Sequence, residues 1–332
     1  MADPHAVQFG YHCSHEQFPP SRLLALARRA EAAGFTAALS SDHLHPWSER
    51  QGESGFAWSF LGAALATTSI SFGVVNAPGQ RYHPAIVAQA AATLAEMFPD
   101  RFWLAIGSGQ RVDETVSGAP WPAKDVRNAR LRECADVIRA LWAGETVTHR
   151  GHVVVEDARV WSRPARPPLL VAAAVTAETA RWAAAWADAL ITVQRPRDEL
   201  RRVVDAWREG GGAGKPMFLK VQLSYAATDG AARAGAHDQW RTNVFPNRIL
   251  TELRTVAEFD DLGEFATVDE MAAVVRISAD PARHAEWLRE DVAQGFSRLL
   301  LHNVNREQER FVDDFGAHVL PALADLRRAG DA

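Results

Sequence analysis

The run QFGYHCSHEQFPPSRLLALARRAEAAGFTAALSS (Gln8–Ser41) reads as strand, helix, strand. Its ends, Gln8–Ser14 and Thr36–Ser41, are short extended segments. Between them, Ser21–Ala33 sets Leu23, Leu24, Ala27 and Ala30 on one 3.6-residue stripe. Gly34-Phe35 then reads as a helix C-cap leading into the next strand. A strand–helix–strand unit of this kind builds a parallel sheet, either an open doubly wound one or a closed barrel. The first crossover lacks the Gly-x-Gly-x-x-Gly of the dinucleotide-binding open sheet, which weighs against that fold.

The alternation continues outward from this unit. Further strands are expected at Ser71–Ala77, Phe102–Gly107, Leu169–Ala174, Ala189–Val193, Met217–Tyr225 and Arg298–His302. Helical patterns fall at Pro84–Met97, Arg127–Trp142, Thr176–Trp186 and Pro196–Arg208. Eight strands alternating with helices point to an α/β fold, a (β/α)8 TIM barrel. Two segments break the rhythm. Glu145–Val160 alternates at period two around Arg150-Gly151-His152 and reads as an inserted hairpin. Thr228–Asp269 mixes aromatic and charged residues over a length that usually carries function or covers a site. The expectation is one barrel domain over residues 1–332, with a hairpin insertion near 145–160 and a long insertion near 228–269.

Composition narrows the function. The 332 residues are 47% hydrophobic and carry a net charge of −5 with both signs interspersed, which argues against a nucleic-acid partner. No apolar run approaches the roughly 18 residues of a membrane span, and Met1–Gln8 has no secretory pattern. Two cysteines, Cys13 and Cys134, make no disulfide framework or metal knuckle. A cytoplasmic protein acting on a small molecule is expected.

Barrel chemistry gathers at the C-terminal ends of the strands. The second strand exits into Asp42-His43-Leu44-His45-Pro46-Trp47, and the third into Asn76-Ala77-Pro78-Gly79-Gln80-Arg81-Tyr82-His83. The fourth exits into Gly107-Ser108-Gly109-Gln110-Arg111, and the fifth into Ala174-Val175-Thr176-Ala177. His12, His15, His43 and His45 have no matching carboxylate or cysteine cluster, so no metal site is expected. No Gly-x-Ser-x-Gly elbow or Cys/His pair supports covalent hydrolysis. Asp42 is a pocket residue or a turn residue; Trp47 and Trp58 are pocket walls or core aromatics. Gly107-Ser108-Gly109 leaves room for backbone amides to face a ligand. Thr176 is a phosphate-loop residue or an ordinary helix cap.

FGYHCSHEQFPPSRLLALARRAEAAGFTAALSSDHLHPW, GQRYHPAIVAQAAATLAEMFPDRFWLAIGSG and RNARLRECADVIRALWAGETV resemble the luciferase-like monooxygenase superfamily. Within it they resemble the branch of F420-dependent glucose-6-phosphate dehydrogenases. WSERQGESGFAWS and AHDQWRTNVFP resemble a subgroup regarded as FMN users. The resemblance implies a flavin-type oxidoreductase, performing hydride transfer or monooxygenation with FMN or coenzyme F420, with a lean to FMN, and working as a homodimer.

The resemblance also implies site residues. Asp42 would approach the redox ring, and His43 would be the base or electrostatic partner beside its hydride-accepting atom. Trp47 would shape the substrate side. Val74–Val75 would be a non-prolyl cis peptide forming a bulge behind the ring, continuing into Asn76 and Ala77. Gly107, Ser108 and Gly109 would let the ring lie near backbone, with Asp113 as a further ring contact. Ala174, Val175, Thr176 and Ala177 would receive the cofactor phosphate. Gln110 occupies the catalytic position where the dehydrogenases carry a glutamic acid proposed as proton donor, a task an amide cannot perform. The family's lysine after strand six has no clear counterpart. Arg195 and Arg197 lie nearby and, with Ser14, are the expected substrate-binding residues. Gln110 also raises the alternative of a non-catalytic flavin or ligand-binding protein on the same barrel.

Overall fold

The computed structural model describes residues 7–328. Eight parallel strands close on themselves: β1 (Gln8–Cys13), β2 (Ala37–Ser40), β3 (Ser71–Asn76), β4 (Phe102–Ile106), β5 (Leu169–Ala173), β6 (Ala189–Val193), β7 (Met217–Ser224) and β8 (Arg298–Asn303). Closure comes from β8, which pairs with β1 through Gly10 opposite Leu300 and with β7 through Leu300 opposite Lys220. The chain is a (β/α)8 barrel, and the open-sheet alternative falls. A two-residue strand, Arg276–Ile277, extends the outer edge of β7.

The strands read as near-continuous apolar runs because both faces are covered. On β1, Phe9, Tyr11 and Cys13 pack outward with the helix layer, whereas Gly10 and His12 alternate inward. Leu39, Trp103, Ala105, Val171, Ile191, Phe218 and Leu300 fill the barrel interior as a separate cluster. Helix α1 (Pro20–Ala32) buries Leu23, Leu26, Ala27 and Ala30 against the outer faces; Leu26 joins the expected stripe, and Leu24 is only half-buried at its edge.

The Val74–Val75 bond is not cis: among the described residues no peptide bond is. Both residues stay in the regular ladder, Val74 opposite Leu104 and Val75 opposite Ala105. Val74 packs outward, and Val75 lies against the interior cluster.

Val147–Arg150 and Val154–Ala158 form an antiparallel hairpin. It is fastened to helix Lys124–Ala143 by His149 Nε2 against Glu133 Oε2 at 2.9 Å. The chain after β7 forms helices Asp229–Trp240 and Val256–Gly263. Trp240 and Phe259 pack with Trp47, Val112 and Val304 in a second small core. That core lies over the strand exits, so the long segment caps the mouth. Among the described residues, no helix is long and apolar enough to cross a membrane.

Candidate active site

Three strand exits are stitched together at the mouth. Asp42, just past β2, is 3% exposed. Its Oδ2 accepts from Asn76 Nδ2 at 2.7 Å, and its Oδ1 accepts from the Tyr82 hydroxyl at 2.9 Å. Arg81 Nη2 donates to the Asp42 carbonyl at 2.6 Å. The Asn76 carbonyl in turn accepts from Gly107 N at 2.9 Å, joining β3 to β4. This fixes the backbone of all three exits before any ligand arrives.

His43 sits beside this knot. Its Nδ1 is 2.5 Å from Glu16 Oε1, and its side chain is 26% exposed. Glu16 comes from the β1 exit and is buried. Its Oε2 accepts from Ser14 Oγ at 2.7 Å and Ser41 Oγ at 3.0 Å. Burial pushes this carboxyl up, but His43, the Ser14 hydroxyl and Lys220 outweigh it and hold it well below the usual carboxylate range. Burial pulls His43 down. The carboxylates of Asp113 and Glu16, with the Glu16 hydrogen bond, prevail and raise it above its ordinary 6.5. Because Nδ1 is committed to Glu16, Nε2 is the nitrogen left to meet a substrate.

Trp47 packs its ring 4.6 Å from His43 and 5.3 Å from Phe259 of the capping segment, both edge-on. Asp113 Oδ1 accepts from Leu44 N at 2.8 Å and His45 N at 3.1 Å, so it shapes the β2 loop. Gly109 adopts φ +77°, and a Cβ there would lie 2.7 Å from Glu114 Cγ and 3.2 Å from the Ala77 methyl. Glycine is required by both conformation and space. Gln110 caps the short helical turn Arg111–Glu114 through its carbonyl, without a side-chain cap bond.

Other expected residues stand apart from this group. The Ser14 hydroxyl is spent on Glu16, and the Ser108 hydroxyl accepts from Lys124 Nζ at 2.6 Å. Thr176 Oγ1 accepts from Thr179 N at 3.2 Å, so the side chain is a helix cap. Ala174 is buried in the β5 exit, with Val175 and Ala177 half-buried around it. Arg195 is half-buried with a loose 3.8 Å contact to Glu199, and Arg197 is exposed on the first turn of its helix. The four candidate histidines have separate partners: His12 stacks on His302 at 4.4 Å, His15 Nε2 lies 3.0 Å from Ser40 Oγ, His43 turns to Glu16, and His45 is tied through its backbone N to Asp113.

Glu16, Arg81, Tyr82, Glu114 and Lys220 join the site without having been singled out. Arg81 and Tyr82 stood in the quoted Arg-Tyr-His-Pro-Ala motif, so a signal existed for them. Glu16 stood in the quoted FGYHCSHEQF run, but nothing there marks a carboxylate that turns inward to meet His43, Ser14 and Ser41.

Glu114 is 2% exposed and accepts from Arg81 N at 2.9 Å. Burial above all, with Asp113 adding, pushes its carboxyl up to about 7 against the pull of Arg81. The folded chain therefore binds this proton more tightly than the unfolded chain does. The stability it contributes is complete below about 4.5 and is lost as pH rises through about 7. The separation corresponds to about 3 kcal/mol. Glu114→Gln, which keeps an acceptor for Arg81 N, should gain on the native chain by that order between pH 5 and pH 8 in urea unfolding. A constant difference across this range would refute the shift.

The residues fit a planar redox ring. Asn76 Oδ1 is a buried acceptor without a partner among the described residues, suited to the imide N–H of a flavin-type ring. The Cβ of a residue at 107 would meet nothing nearer than the Ala173 methyl at 3.4 Å, so backbone there stands open to a close approach.

The luciferase-like monooxygenase family model matches residues 6–298, and the chain belongs to that family. It is 34% identical to the F420-dependent glucose-6-phosphate dehydrogenase of Beutenbergia cavernae, over 97% of this chain and 99% of that one. It is 32% identical to the F420-dependent hydroxymycolic acid dehydrogenase of Mycobacterium tuberculosis, over 97% and 89%. Among solved structures, an F420-dependent secondary alcohol dehydrogenase holding an F420-acetone adduct superposes with a TM-score of 0.89 at 26% identity, covering 96% and 99% of the two chains.

Proposed function

We propose that this protein is an F420-dependent dehydrogenase that converts a small organic alcohol to its carbonyl. The chain is an oxidoreductase of the luciferase-like family. The observation that carries the dehydrogenase reading is the Glu16–His43 pair, which leaves Nε2 to meet a substrate. The lean to FMN drawn from the resemblance finds no support in these relatives, which are F420-dependent by name. F420 therefore comes first. When bound, the deazaflavin supplies a two-electron hydride acceptor.

The chain's own residues do the rest. His43 Nε2 takes the hydroxyl proton while Glu16 holds the imidazole in the Nδ1–H tautomer and steadies the charge it acquires. Asp42, fixed by Asn76, Tyr82 and Arg81, sets the wall against which the ring would lie. Val75, Asn76, Ala77, Gly107 and Gly109 form the backbone bed beneath it, and the Ala174–Ala177 exit would take the cofactor phosphate. Trp47 and the capping segment exclude water above the reacting carbon. The intact Glu16–His43 pair counts against the non-catalytic alternative, because it can handle a proton where the Gln110 amide cannot. The closed sheet supports reading the chain as one barrel domain with two insertions. A cytoplasmic homodimer belongs to the same reading, with light scattering as its check.

Separate fluorescence titrations with F420 and FMN test the cofactor. F420 should bind tightly and FMN should not; binding of FMN alone, or of neither, would end this reading.

A further inference from the structure

Along β7, period two turns Phe218, Lys220 and Gln222 into the barrel. Lys220 is a cation in that interior. Its Nζ lies 5.4 Å from the centroid of the Trp240 ring, and it makes no hydrogen bond or ion pair among the described residues. The acid that acts on it is Glu16, whose oxygens already serve His43, Ser14 and Ser41.

Beside it stands His302, 4.8 Å from Trp240 and stacked on His12. His302 Nε2 meets Gln17 Oε1 at 2.9 Å, while Gln17 Nε2 donates to the Val304 carbonyl at 2.7 Å. The amide's orientation therefore makes His302 Nε2 the protonated nitrogen and leaves Nδ1 as a buried acceptor without a partner. Burial, followed by the Lys220 charge, drives both His12 and His302 well below the ordinary histidine value, so they are neutral. Burial likewise pulls Lys220 down to about 8 against the pull of Glu16, which leaves it mostly charged at neutral pH.

Glu16 is the acid that acts on Lys220, but its oxygens are taken by His43, Ser14 and Ser41, and the two imidazoles are neutral, so among the described residues no acceptor meets the ammonium directly. A half-buried ammonium with no direct partner is costly unless an anion reaches it. We propose that Lys220 is a substrate-binding residue that receives a carboxylate of the substrate, so that the enzyme acts on hydroxy acids. This rests on the oxidoreductase reading of the same mouth. A single ammonium suits a monoanion; a phosphate dianion would bring a second negative charge into an interior that already holds Glu16. Trp240 and Trp47 supply apolar walls for the remainder of such a molecule.

The full-length protein, titrated by calorimetry with benzoate, benzamide and inorganic phosphate, tests the assignment. Benzoate should bind at least about tenfold more tightly than the isosteric benzamide, as expected for a charge-assisted contact. The preference should vanish in Lys220→Met and in Lys220→Gln and persist in Lys220→Arg. The two neutral variants guard against one failing to fold. Equal binding of benzoate and benzamide, a preference that survives both neutral variants, or tighter binding of phosphate would overturn the proposal. Fluorescence titration of the same proteins with F420 keeps the two readings separable. Failure of the wild type to bind F420 sinks the cofactor assignment but not the benzoate comparison.

Discussion

His43→Ala should slow alcohol oxidation by about 10²–10⁴-fold, the usual worth of a positioned base, while leaving F420 affinity nearly unchanged. The imidazole is tied to the chain through Nδ1 and contributes only Nε2 to the opening. Its loss therefore removes a proton acceptor without disturbing Asp42 or Asn76. The pH profile gives an independent reading. Oxidation requires a neutral imidazole, so kcat/KM should rise with pH through a step above 6.5, because Asp113 and Glu16 together overcome the effect of burial. Glu16→Gln keeps a hydrogen-bond acceptor but removes one of those two charges, so the step should move to lower pH. Carbonyl reduction, which needs the protonated ring, should show the opposite limb. A profile that Glu16→Gln leaves in place would show that the glutamate only anchors the ring.

The barrel was legible because each strand is a short apolar run followed by a helix of matching stripe, and that local pattern has few global solutions. The gathering of Asp42, His43 and Trp47 followed from the rule that strand exits share one end. Partner choice was less legible. Thr176 and Ser14 both carry hydroxyls at strand exits, yet one caps its own helix and the other donates to Glu16. Nothing in their neighbours' identities distinguishes a hydroxyl consumed by the protein from one offered to a ligand. Lys220 is the reverse case. MFLKVQLS places a lysine at a position whose period-two neighbours point inward, and a charged residue facing a barrel interior is uncommon enough to mark function. The Val74–Val75 geometry was carried over by likeness alone, and the ladder through Leu104 and Ala105 overrides it.

Gly73→Ala should be the most damaging single-methyl change in the scaffold. Gly73 lies in β3 opposite Trp103 of β4, and the indole fills the space a side chain at 73 would occupy. An added Cβ would stand 2.0 Å from Trp103 Cε2. The indole cannot retreat, since it meets Phe218 edge-on at 5.0 Å and carries the Arg298 guanidinium 5.5 Å away. Overpacking of this kind costs about 1–3 kcal/mol, and more where neighbours are as confined as these. Urea unfolding should show a lower midpoint with an unchanged slope. Gly62→Ala is the control. It lies inside helix Ala57–Thr67, where a Cβ would meet nothing within 4 Å, so the same methyl should stabilise by roughly 0.5–1 kcal/mol. Opposite signs from one chemical change would establish that the interior, and not glycine as such, sets the penalty. The consequence reaches the site, because Asn76 follows Gly73 on the same strand and Gly107 follows Trp103. Displacing β3 from β4 strains the Asn76–Gly107 bond and the Asp42 contact it supports, so Gly73→Ala should weaken F420 binding as well. Lost stability with undiminished cofactor affinity would show that the mouth is braced independently of the barrel beneath it.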